Sequence, residues 1–209
     1  TNAETNKPET LYYDITNAVN QVYEPTHSGG TIAEAGTTIT AEVDTTDSTT
    51  NKTTIKKQVI AKALENASAA TADIVIDAKS TGGTATQTKL EISKDSLGAI
   101  AAAEKVNSLL IQTNEGQLSF SKEAAEGIHK KKDGETLVIT VNKKDTVTVG
   151  DEQKTAVDFS VEAKLVSATE EKPITEFGGG KVEVKLDLPK ALQMDGETDA
   201  EKVKCWYYT

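Results

Sequence analysis

The stretch Leu90-Glu91-Ile92-Ser93-Lys94-Asp95 recurs as Leu118-Ser119-Phe120-Ser121-Lys122-Glu123. In each copy an apolar–polar–apolar run, the pattern of a half-buried strand, meets a Ser suited to cap a following helix. The offset is 28 residues, Leu90 to Leu118, and it persists beyond the phrase: Ile100 falls on Ile128, and Leu109-Leu110-Ile111 on Leu137-Val138-Ile139. The order reads as strand, hairpin, strand, Ser-capped helix. One such unit cannot bury its own apolar faces, so copies must pack together. The expected fold class is therefore α+β, with tandem β-hairpin–helix repeats followed by a β-rich C-terminal half. Repeat units are expected at about residues 37–70, 72–105 and 107–132, the first more diverged, and the β-rich part at about 135–209.

Working outward, residues 1–30 read as a separate N-terminal segment, partly helical or loose. Leu11, Ile15, Val19 and Val22 fit a helix ending before Pro25, and a short strand at Leu11–Tyr13 competes with it. The module proper is expected over 31–209. Thr37 to Val43 alternates and is rich in β-branched residues, so it reads as a strand. Thr54 is placed to cap a helix carrying Ile55, Val59, Ile60, Ala63 and Leu64 on one face. Asp73–Asp77 is a strand, and Gly82-Gly83 marks a long hairpin loop back to Leu90. Val157, Phe159, Val161, Ala163 and Leu165 alternate as a long strand, as do Val182, Val184, Leu186 and Leu188 before Pro189. Val203–Tyr208 reads as a final strand. A boundary near Asp145, giving two subdomains, is the competing organisation.

The balance of charge excludes some functions. The 209 residues carry 23 basic side chains, all Lys, against 33 acidic ones, a net charge of −10. Without Arg, and with one short basic run at Lys130–Lys132, the chain is a poor match to nucleic acid. Mean hydropathy is −0.43 and no run of 18 apolar residues exists, so no membrane insertion is expected. Cys205 is the sole Cys, which rules out an internal disulfide. His27 and His129 show no ligand spacing. Thr1–Lys7 is no signal peptide, and the missing initiator Met reads as a processed or trimmed chain.

No catalytic constellation emerges. There is no G-x-S-x-G, and acids are plentiful without an aromatic-lined pairing that would hold a sugar. Gly178-Gly179-Gly180-Lys181 lacks the spacing of a phosphate loop and leads into a strand, so the glycines read as turn or bulge positions. Asp44, Asp47 and Asn51 offer clustered oxygens of the kind calcium prefers, but without a known loop spacing; a hairpin tip is the simpler reading. No cofactor or metal is assigned, and no catalytic residue. The remaining candidate is an aromatic patch for a ligand or partner formed by Trp206, Tyr208 and Phe177.

The phrase Pro173-Ile174-Thr175-Glu176-Phe177-Gly178-Gly179-Gly180-Lys181-Val182-Glu183-Val184, with Pro189 and later Trp206-Tyr207-Tyr208, resembles a module of large Firmicutes surface proteins. That module often lies just upstream of S-layer homology repeats. The resemblance covers about residues 31–209; Cys205 departs from it, where an aliphatic residue is usual. It implies an exported protein of the bacterial cell surface and no catalytic residues. The expected function is a non-enzymatic structural, spacer or assembly unit whose partners are neighbouring modules. The alternative is an adhesin module binding cell-wall polysaccharide, a host glycan or a host protein.

Overall fold

In the computed structural model, residues 29–32, 36–68, 70–82, 84–144, 147–149, 152–154 and 158–186 are described. The N-terminal helix expected before Pro25 and the final strand at Val203–Tyr208 lie outside them, as does Cys205. Strand is the commonest element of the described chain, and in its longer central runs alternate residues are apolar. In β4 (Ala72–Asp77) Ile74 and Ile76 are buried while Asp73, Val75 and Asp77 are half exposed. In β5 (Gln87–Ser93) Thr88, Leu90 and Ile92 are buried and their neighbours are not. A strand with one such face is stable only against a second apolar layer.

Two sheets supply the layers. The first holds β1 (Gly30–Ile32), β2 (Thr38–Ala41), β4, β6 (Val106–Gln112), β7 (Gln117–Ser121) and β13 (Val182–Lys185), in the spatial order β1-β2-β4-β6-β7-β13. The second holds β12 (Glu171–Pro173), β11 (Asp158–Val166), β8 (Thr136–Lys144), β5 and β3 (Thr50–Ile55), in the order β12-β11-β8-β5-β3. A separate pair joins β9 (Val147–Val149) to β10 (Glu152–Lys154). Both sheets are mixed. β2, β4 and β6 run parallel, and β3 is parallel to β5; the remaining pairs are antiparallel.

This topology overturns the expected tandem hairpins. β4 and β5 do not pair: they lie in different sheets, joined by residues 78–86, and the same is true of β2 and β3. Only β6 and β7, of these three successive pairs, form a hairpin. Even the sequence copies occupy unlike places, for Leu90 and Ile92 sit in the second sheet whereas Leu118 and Phe120 sit in the first. The order strand–strand–helix does recur along the chain. Strand periodicity specifies a buried face but carries no information on the partner strand. Apart from the β6–β7 hairpin, the strands of these units pair across units, β2 with β4, β4 with β6 and β3 with β5. The fold is a mixed α and β arrangement of two mixed sheets with three helices among the described residues.

Helices α1 (Lys57–Ala67), α2 (Lys94–Ala102) and α3 (Lys122–His129) follow β3, β5 and β7. Each buries one stripe: Val59, Ile60 and Ala63 on α1, Leu97 and Ile100 on α2, Ala124, Ala125 and Ile128 on α3. These join the inner faces of both sheets in one apolar cluster, with Ile39, Ile74, Leu97, Ile100, Ile111 and Leu137 fully buried. Strands on both sides of Asp145 belong to the second sheet, where β8 and β11 pair from Asp158↔Lys144 to Val166↔Thr136.

The helix starts separate the two kinds of local signal. Ser93 Oγ accepts from Ser96 N at 3.2 Å, and Ser121 Oγ from Ala124 N at 3.2 Å. Thr54, by contrast, caps nothing. It stays in β3, in register with Glu91, and its hydroxyl donates to Glu91 Oε2 at 3.3 Å. The β-branched run Thr53-Thr54-Ile55 holds the chain extended through Lys56, whose φ −80° and ψ 149° precede α1 without a side-chain cap. Ile55 accordingly belongs to the strand.

Ser121 does more than Ser93, since its Oγ also accepts from Lys181 N at 3.2 Å. Ser93→Ala should lower stability by about 1 kcal/mol, the usual loss of an N-cap. Ser121→Ala should cost about 1–2 kcal/mol, because a second donor is released. Urea denaturation of the two variants measures the order.

Candidate functional site

The Phe177–Lys181 phrase, singled out from sequence, closes onto helix α3. Gly180 N donates to Phe177 O at 3.0 Å, a tight turn in which Gly178 and Gly179 have φ of +63° and +87°. Those values lie where L side chains are strained. The turn then presses on α3 at backbone level. A Cβ built on Gly127 would lie 2.4 Å from Phe177 O, and one on Gly180 would lie 2.0 Å from Ala124 N. Ser121 and Lys181 seal the junction, with Ser121 N donating to Lys181 O at 3.0 Å and the Ser121 hydroxyl accepting in return. β13 can then pair with β7, Val182 against Phe120. The glycines serve backbone contact, as turn positions do.

Phe177 is half-buried and meets Phe120 edge to face, centroids 6.2 Å apart at 82°. It packs on the apolar cluster through this contact. Trp206 and Tyr208, the other two members of the expected aromatic patch, lie outside the described residues. His27 lies outside them too.

Two open depressions flank the start of α1. One, of about 310 Å³, is lined by Lys56, Lys57, Glu91, Ser93, Asp95 and Thr136 among others. The second, of about 690 Å³, is lined by Glu42, Asp44, Lys52, Thr53 and Lys56 among others. The acids of the first are paired at the surface, Asp95 with Lys57 at 3.1 Å and Glu91 with Lys89 at 3.4 Å. Such exposed pairs contribute little to stability. His129 Nδ1 donates to Lys94 O at 3.0 Å, and its ring lies over Gly98. Its imidazole thus secures α3 to α2.

The Asp44–Asn51 segment is the other place where the sequence offered oxygens. Asp44 Oδ1 accepts from Thr46 N at 2.9 Å, and Asp47 Oδ1 from Thr49 N at 2.9 Å and Thr49 Oγ1 at 2.7 Å. These turns, with Lys52 3.3 Å from Asp47, hold the Asp47 carboxyl down to about 2. Asp44 is lowered by the same kind of backbone donor. Asn51 is turned away from the loop into β3, buried, donating to Ser80 Oγ at 3.2 Å. No group of three or more His, Cys, Asp or Glu side chains that could hold a metal occurs among the described residues.

Across the second sheet a polar row links four strands. Thr50 donates to Gln87 Oε1 at 2.8 Å, Gln87 Nε2 donates to Asn142 Oδ1, and Asn142 Nδ2 to Ser160 Oγ at 3.0 Å. Sequence reasoning missed this row, because it depends on which strands are neighbours. It also missed Gly98 and Gly127, although a lone Gly inside a helical pattern is itself a signal of close packing.

No family model matches the chain, and no curated protein and no solved structure matches it.

Gly180→Ala should be the most damaging change in this region, since a backbone nitrogen stands 2.0 Å from the new methyl. Gly179→Ala meets open space and only backbone strain, so it should cost about 1–3 kcal/mol. Thermal unfolding ranks the two. For Asp47 the depressed carboxyl means that the turn's contribution is present above the unfolded value near 4 and fades as pH falls toward 2. NMR titration of the Asp47 carboxyl carbon should give a midpoint of about 2.

Proposed function

We propose that this chain is a non-catalytic structural module, a spacer or assembly unit, of an exported bacterial cell-surface protein. The observation that carries the reading is the use made of the polar and glycine residues. Ser93 and Ser121 cap helices, His129 joins two helices, and Gly178 and Gly180 permit contact with α3. Residues that an enzyme would keep free for a substrate are committed here to holding elements together. The resemblance of Pro173–Val184 to the surface module of Firmicutes proteins supports the same reading, with neighbouring modules as partners. Among the described residues no helix is long and apolar enough to cross a membrane.

The test is a binding and turnover screen of the 209-residue chain against cell-wall polysaccharides, host glycans and peptide substrates. The expected result is neither saturable binding nor turnover. Saturable binding lost in Trp206→Ala would establish the adhesin reading instead, and turnover of any substrate would overturn both.

A further inference from the structure

Among the described residues, four buried side-chain atoms lack a hydrogen-bond partner, and all are oxygens: Asn51 Oδ1, Thr88 Oγ1 and both carboxylate oxygens of Glu115. Their residues are 1%, 0% and 3% exposed. They come from three separate stretches, linked by strand register and by hydrogen bonds through Ser80 and Asn114. Asn51 and Thr88 are register partners on the buried face of the second sheet. Asn51 donates to Ser80, Ser80 N donates to Asn114 Oδ1 at 2.8 Å, and Asn114 Nδ2 donates to Ser80 O at 3.1 Å. Glu115 follows at once, in a turn fixed by Thr113, whose hydroxyl accepts from Glu115 N and Gly116 N at 3.2 Å each.

An orphaned hydroxyl or amide oxygen is satisfied by water. A buried carboxylate is different, because water supplies hydrogen bonds without a countercharge, and an unpaired buried charge is strongly unfavourable. No described lysine pairs with Glu115. We propose that this cluster binds one hard cation of the calcium class, with Glu115 as the anionic ligand and Asn51 Oδ1 and Thr88 Oγ1 as neutral ones. An all-oxygen set is what such a cation takes, and a single carboxylate places affinity in the weak range typical of extracellular modules. The exposed Asp44 and Asp47 are not part of the site, for their oxygens are used in turns.

The experiment is calorimetric titration of the metal-free 209-residue chain with calcium chloride, magnesium chloride serving as comparison. Wild type should bind one calcium with a dissociation constant of about 0.1–1 mM. Glu115→Gln should weaken it at least tenfold, and Thr88→Val should weaken it while the circular dichroism spectrum stays unchanged. In calcium-free buffer Glu115→Gln should melt above wild type, and calcium should close that gap. No saturable calcium binding overturns the proposal. Binding unaltered by Glu115→Gln also overturns it, since the ion then sits on the acidic surface.

Discussion

Ile74, Ile76, Leu109 and Ile111 on one sheet share a single apolar cluster with Leu90, Ile92, Leu137 and Ile139 on the other, and every other feature is arranged around that shared burial. Each such side chain, taken from water to the interior, contributes about 1.5–3 kcal/mol. A hairpin lying alone would leave this face wet. Sending β4 to one sheet and β5 to the other gives both strands an apolar layer to face. The linking residues 78–86 make that crossing possible. The helices then cover what the sheets leave open, with α2 and α3 brought close where His129 lies over Gly98.

The second requirement is closure at α3. The turn from Phe177 to Gly180 ends with β13 beside β7, and it can sit so near the helix only because Gly127, Gly178 and Gly180 lack side chains. Ser121 is the meeting point, accepting at once from its own helix and from Lys181. A motif that reads as a family signature is thus explained locally by steric demand. Steric demand of this sort belongs to holding a structure together.

Much of the local structure was legible. Ser93 and Ser121 were identifiable as caps because an acceptor side chain before an apolar helical stripe has few other uses, and the alternation at Phe159–Leu165 marked β11. Pairing was not legible. Leu90-Glu91-Ile92 and Leu118-Ser119-Phe120 look alike because both need one buried face, yet one lies in each sheet. Thr54 misled for a related reason: a Thr before an apolar helical run is an equally good cap and strand residue, and the parallel partner β5 decides between them. Glu115 carried no signal, since an acid at a turn is ordinarily solvated; only the tertiary packing buries it.

The split of successive strands between two sheets is the claim on which the account stands. Isotope-edited nuclear Overhauser spectroscopy of the labelled chain tests it directly. The two-sheet topology requires the parallel-strand pattern linking Thr53 to Leu90 and Ile39 to Ile76, with no cross-strand contacts between Ala72–Asp77 and Gln87–Ser93. Close Hα–Hα contacts in an antiparallel register between those last two segments would restore the tandem hairpins and contradict it.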